Sequence, residues 1–316
     1  MSLSPVKLSP AFKDYLWGGT RLKTVFNKDC DFERVAESWE LSAHKDGQST
    51  VISGPFRGQP FSEYLREIGP CALGTNCAKY DYFPLLIKLI DAQGDLSVQV
   101  HPSDEYALTH EGEYGKTEMW YILDCEEGAT LYYGFSRNVT RNEYESAIKD
   151  GNLADLLNQV PVKPGDVFFI PAGTVHAIGA GILICEIQQN SNTTYRVYDY
   201  NRRDKDGNLR PLHIEKALEV SSLDKSPELL PIPDGCDAIL ASCSYFDVHR
   251  LRISDKRTVS VDETSFISLI ITEGHGSIIM DTDEITFSKG DSIFIPAQKA
   301  DCHISGCCEI ILSHVN

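Results

Sequence analysis

His101 in Gln99-Val-His-Pro102, Glu118 in Gly115-Lys-Thr-Glu-Met-Trp120 and His176 in Gly173-Thr-Val-His176 offer two imidazoles and one carboxylate. That donor set suits a divalent metal ion when the groups converge from separate strands. Period-two alternation argues that they do. In Leu96-Ser-Val-Gln-Val-His101 the polar Ser97, Gln99 and His101 share one face, and Leu96, Val98 and Val100 take the other. Glu118, Trp120 and Ile122 also share a face, so the carboxylate lies among bulky groups where a bare charge is costly. A bound cation removes that cost. Lys116, two residues before Glu118, falls on the same face, placed for acid or base work beside the cation.

These residues need strands to carry them, and strand-like runs dominate the chain. Examples are SVQVHP, MWYILD, ATLYYGF, DVFFIPAG, GILICEIQQN, SYFDVHRLRI and DSIFIPA, separated by Gly, Pro, Asp and Asn turns. The pattern predicts a mainly β sandwich or barrel. Helices are fewer. Thr140 and Glu143 have capping-box spacing and open a predicted helix running to about Val160, and two shorter ones are expected over Phe61 to Ile68 and Ile214 to Val220. Leu223 to Gly235 contains three prolines without a consistent period and reads as a linker dividing residues 1–225 from 236–316.

One repeat supports that division. Lys163-Pro-Gly-Asp-Val-Phe-Phe-Ile-Pro-Ala172 returns 125 residues later as Ser288-Lys-Gly-Asp-Ser-Ile-Phe-Ile-Pro-Ala297, each a Gly-Asp turn into a buried strand. The pattern resembles the second motif of cupins, which implies two cupin-like jelly-roll barrels with a few short helices. Where the first copy leads to His176, the second leads to Asp301, and the strand run before it offers no His-x-Glu substitute. The C-terminal barrel is therefore expected to be metal-free. His44, His110, His213, His249, His275, His303 and His314 lack a partner at metal spacing and read as structural or surface groups. Trp17 and Trp39 read as packing residues.

At 316 residues, with 42% hydrophobic and 24% charged, the chain can bury a sizeable core without disulfides. Its formal charge of −17 argues against nucleic-acid and anionic-membrane partners, which need clustered Lys and Arg. The opening MSLSPVKLSP has no apolar core region, and the most apolar run, FPLLIKLI, is short and holds Lys88, so no export or membrane segment is expected. The ten cysteines form neither CxxC pairs nor a regular framework, and read as reduced thiols of a cytoplasmic protein. No GxxxxGK[ST] loop is present, so a nucleotide cofactor is not expected.

Trp17-Gly-Gly19, Glu37-Ser-Trp-Glu40, FPLLIKLIDA, QVHP, GKTEMWYIL, IPAGTVHAIG and Gln188-Gln-Asn-Ser-Asn-Thr-Thr-Tyr-Arg196 together resemble the type I mannose-6-phosphate isomerases, in their short bacterial form. The resemblance covers nearly the whole chain. It implies interconversion of mannose 6-phosphate and fructose 6-phosphate with one bound Zn2+ per chain. It also implies that His101, Glu118 and His176 are the metal ligands and that Arg196 lies in the active site. Longer members use a glutamine like Gln99 as a further ligand. Here Gln99 is either a ligand or a neighbour of the ligands. Asn192 stands where those enzymes often have Asp, so no proton role transfers to it.

Such chemistry moves a proton between C2 and C1 of an open-chain sugar through a cis-enediol, which needs a base and stabilised oxygens. Arg196 is permanently charged and suits oxyanion stabilisation; Lys116 suits acid–base work. Donors for the phosphate are sought among Arg137, Arg196, Arg202 and Lys88. Expected partners are a small sugar phosphate and, at most, a weakly associating second copy of a monomer. Two other readings use the same ligands: a non-haem iron oxygenase and a non-catalytic sugar-binding cupin. Only the isomerase reading accounts for the WGG and ESWE segments too.

Overall fold

The computed structural model describes residues 3–203, 207–229 and 237–316, and its architecture is mainly β. Two antiparallel sheets hold the first two thirds of the chain. One runs in the order Val167–Ile170, Glu118–Cys125, Ile182–Gln189, Leu85–Ala92, Glu37–Leu41, Ala11–Lys13. The other runs Leu157–Pro161, Thr130–Phe135, His176–Ala177, Val98–Val100, Tyr195–Tyr198. They meet face to face: Tyr133 packs edge-on against Phe168 at 5.7 Å, and Trp120 against His176 at 5.2 Å.

The run FPLLIKLIDA becomes the strand Leu85–Ala92, buried at every position. Alternation explains why. Leu85, Ile87 and Leu89 face an apolar core shared with the C-terminal region, while Lys88, Ile90 and Ala92 face the opposite sheet. In that shared core the rings of Phe61 and Phe294 lie 5.1 Å apart, and those of Phe83 and Phe266 5.0 Å.

A third sheet is built on Ala238–Ser242, Asp247–Ile253, Ala300–His314, Ile267–Met280 and Ser292–Ile295, and it continues into Val6–Ser9 and Thr50–Val51 from the other end of the chain. Both copies of the repeat take the same form. Gly165 and Gly290 have φ of 92° and 93°, and Asp166 and Asp291 accept hydrogen bonds from Lys163 N and Ser288 N at 2.9 and 2.7 Å. The strands Val167–Ile170 and Ser292–Ile295 follow.

Helices occupy Phe61–Ile68 and Ile214–Val220, as the sequence predicts. The capping box of Thr140 and Glu143 is present, but the helix it opens is Arg141–Asp150 and does not reach Val160. Gly151, at φ 75° in the left-handed region, ends it, and Leu157–Pro161 is a strand instead. The expected linker falls partly on residues 230–236, which lie outside the described residues. Its first half is tied down: Ser226 is buried, and its backbone N donates to Phe135 O at 3.0 Å. Among the described residues no helix is long and apolar enough to cross a membrane.

Candidate active site

Strand register brings the site together. On the five-stranded sheet His176 pairs with Gln99, and Gln99 pairs on its other side with Arg196, so three strands present one cross-strand row. His101 stands just past the end of the Gln99 strand. On the facing sheet a second row reads Trp39, Lys88, Glu186, Trp120, with Glu118 two residues before Trp120.

Where the rows meet, His101, Glu118 and His176 are fully buried, and one ligand atom from each lies within 4.8 Å of the others. His176 Nε2 is 3.4 Å from Glu118 Oε1, and His101 Nε2 is 3.7 Å from Glu118 Oε2. The far ring nitrogens are anchored: His101 Nδ1 contacts Thr193 O and His176 Nδ1 contacts Thr174 O, each at 2.9 Å. Carbonyls accept only, so each Nδ1 carries the proton and each Nε2 turns a lone pair toward Glu118. His101 Nε2 and Glu118 Oε1 are buried with no hydrogen-bond partner. Leaving such groups unpartnered costs about 1–3 kcal/mol each. Two neutral imidazoles and a carboxylate converging on one point fit a divalent cation, which would satisfy both orphans. Gln99 Nε2 lies 3.3 Å from His176 Nε2, which places its amide at the edge of the same point.

The charge balance is set by burial. Burial holds His176 down to about 4 and His101 well below the usual imidazole range, with Lys116 pushing the same way. Burial also raises Glu118 above the usual carboxyl range, against the pull of Lys116, whose Nζ is 2.8 Å from Oε2. Glu186 is the opposite case. Burial would raise it, but Lys116 and Lys88 hold it low; Lys88 Nζ is 3.0 Å from Oε1, and Trp120 Nε1 donates to Oε2 at 3.1 Å.

A cavity of about 270 Å³ opens beside this cluster, lined by Lys116, Gln99, Glu186, Arg196, Arg210, His213 and Trp17, among others. Arg196 Nη1 donates to Pro211 O at 3.1 Å, while its Nε is buried without a partner. The sequence-predicted set therefore falls in one region: Gln99, Lys116 and Arg196 line the cavity, and the buried cluster His101, Glu118 and His176 lies next to Lys116 and Gln99. Three expectations change. Arg137 pairs with exposed Glu143 away from the cavity, whereas Lys88 does line the cavity while paired with Glu186 and Glu37. Arg202 pairs with Asp199, behind the cavity lining. His213, read from sequence as structural or surface, lines the cavity, where its Nδ1 accepts from Arg196 N at 3.2 Å.

Arg210 and Glu186 were not legible as site residues. Arg210 Nε donates to Asp199 Oδ2 at 2.7 Å, which aims it along the cavity wall. Glu186 sits inside the run GILICEIQQN, where its alternation with Gln188 was the available signal.

A metal-competent His-Glu-His pocket between two antiparallel sheets, walled by cationic side chains, is the layout of an enzyme acting on an anionic substrate. Residues 6–128 match the family described as phosphomannose isomerase type I, catalytic domain, and residues 238–315 match mannose-6-phosphate isomerase, cupin domain. Mannose-6-phosphate isomerase ManA of Bacillus subtilis is 42% identical over 100% of both chains, and the mannose-6-phosphate isomerase of Streptococcus mutans is 39% identical over 99% of this chain and 98% of its own. A crystal structure of the mannose 6-phosphate isomerase from Bacillus subtilis superposes with a TM-score of 0.92 at 37% identity, covering 99% of this chain and 100% of the other. The chain belongs to the type I mannose-6-phosphate isomerase family.

Proposed function

We propose that this chain is a zinc-dependent aldose–ketose isomerase that interconverts mannose 6-phosphate and fructose 6-phosphate through a cis-enediol. The observation that carries the reading is the buried trio His101, Glu118 and His176, with its unpartnered donors, beside a cavity lined by Lys116 and Arg196. His101, Glu118 and His176 would hold one Zn2+, with Gln99 alongside. When bound, that ion supplies Lewis-acid polarisation of the sugar's oxygens. Two imidazoles and one carboxylate suit zinc better than the harder magnesium or calcium.

Lys116 is the proton carrier in this reading. Its Nζ lies 2.8 Å from Glu118 and 3.9 Å from Glu186, so two carboxylates hold it at the cavity wall beside the reacting carbons. Arg196, with an unpartnered Nε, stabilises the oxyanion of the enediolate. Arg210, held by Asp199, makes the adjoining wall cationic and suits the phosphate, with His213, kept neutral by burial, beside it. Trp17 and Ile178 on the same wall limit water. We read the facing sheets as a jelly-roll unit of cupin type, residues 1–225 as the catalytic region and 236–316 as a second cupin-like region packed against it.

The test is direct. Purified protein is incubated with mannose 6-phosphate and fructose 6-phosphate is followed, before chelation, after chelation and after zinc is restored. Activity that disappears and returns supports the reading; no turnover in zinc-loaded protein sinks it.

A further inference from the structure

The strand Asp247–Ile253 pairs with the last strand, Ala300–His314, and together they carry an apolar stripe of Leu251, Ile253, Ile310 and Leu312. By period two the same face continues through His249 and Asp247 on one strand and His314 on the other. There the stripe turns polar. Asp247 stands opposite His314, and His249 stands opposite Leu312, so the three side chains occupy direct and diagonal neighbour positions. The two imidazoles stack 5.7 Å apart with 16° between their planes. One ligand atom from each of the three lies within 4.8 Å of the others, and all three residues are half-buried. Asp247 Oδ1 is buried with no hydrogen-bond partner. This corrects the expectation that His249 and His314 lack partners at metal spacing.

We infer that Asp247, His249 and His314 form a second divalent-metal site, on the C-terminal sheet and apart from the cavity. Two imidazoles and one carboxylate select a borderline ion of the zinc class over magnesium or calcium. Three protein donors leave a coordination position to water, and half-burial leaves the ion exchangeable. The site has a mechanical setting. Just beyond His314, Val315 N donates to Ser265 Oγ at 2.9 Å and Val315 O accepts from Asn76 Nδ2 at 3.0 Å. An ion held by His314 therefore fastens the end of the last strand where it touches both the C-terminal sheet and the Thr75–Lys79 turn.

The experiment counts zinc per full-length chain by calorimetric titration and by metal analysis after gel filtration, on wild type, His314→Ala, His249→Gln and Asp247→Asn. Wild type should take up two equivalents. Each variant should lose the second, or bind it at least about tenfold more weakly, while keeping the first and its isomerase turnover. Cobalt substitution gives an independent readout, since wild type should show two sets of visible bands and the variants one. Should a histidine variant fold poorly, Asp247→Asn decides, because it keeps side-chain volume and removes the charge. One equivalent in wild type, or two retained in Asp247→Asn, overturns the site.

Discussion

The two copies of the Gly-Asp-strand repeat share one turn geometry and one Asp hydrogen bond, yet they lead to different ends. After the first, His176 turns inward, fully buried, toward Glu118. After the second, Asp301 faces solvent and accepts from Ser260 Oγ at 2.9 Å. The turn itself is thus a device for starting a buried strand, and the chemistry belongs to what neighbouring strands bring beside its end. The N-terminal copy meets Gln99 and Arg196 across strand pairs. The C-terminal copy meets neither.

The contrast breaks most sharply at the ligands. His101→Ala should lower zinc retention and turnover on the order of 100-fold or more, whereas Asp301→Ala should leave both within about twofold. A His101→Ala protein with full zinc and full activity would erase the distinction between the copies. Next in size, Arg196→Ala and Lys116→Met should each reduce kcat by about 10² to 10⁴ with zinc content preserved, measured as turnover against metal analysis. An equal loss of metal in either would reassign that residue to holding the site.

Stability sharpens the comparison further. Lys88→Met removes the cation between Glu186 and Glu37, leaving Glu186 only its longer cationic contact with Lys116, and should cost about 3–5 kcal/mol in denaturant unfolding. Lys289→Ala, which removes the partner of the largely solvated Glu273 in the C-terminal region, should cost less than about 1 kcal/mol. The glycines of the two turns also differ. A Cβ on Gly165 meets nothing, so Gly165→Ala should cost only its backbone penalty of about 1–2 kcal/mol. A Cβ on Gly290 lies 2.3 Å from Phe26 O, so Gly290→Ala should cost clearly more, and equal losses would show that the turns are packed alike.

A further small effect is expected at the helix opened by Thr140. Thr140→Ala should cost about 1 kcal/mol by losing the cap of Arg141–Asp150. Hydrogen bonds from Thr140 N and Oγ1, then Arg137, hold Glu143 down to about 2 from an ordinary 4.5. Its contribution is therefore full above pH 4.5 and fades as pH falls to about 2, a slope that Thr140→Ala should flatten in acid unfolding.

Much of the site was readable because alternation is local. Two-residue periodicity put Gln99 with His101 and Lys116 with Glu118, and the structure keeps both pairs on the cavity side. What periodicity cannot supply is register between distant strands. The row Lys88, Glu186, Trp120 depends on which residue of Ile182–Gln189 stands opposite which residue of its two neighbours, and the trio Asp247, His249, His314 depends on the pairing of two strands far apart in sequence. The helix was overextended for a local reason: Leu153 and Leu156 continue the apolar spacing, but they belong to a separate short turn after Gly151. The division of the chain was drawn from prolines, and no proline pattern signals that Val6–Ser9 joins the far sheet.

That joining strand bears on how the protein is made. Val6 pairs with Phe294, so this segment leaves the ribosome long before its hydrogen-bonding partner has been made. During synthesis the segment waits, its Val6 and Leu8 without their final cover. Loop closure over nearly the whole chain must precede the pairing, which places this step late in folding and makes a truncated chain a candidate for chaperone capture.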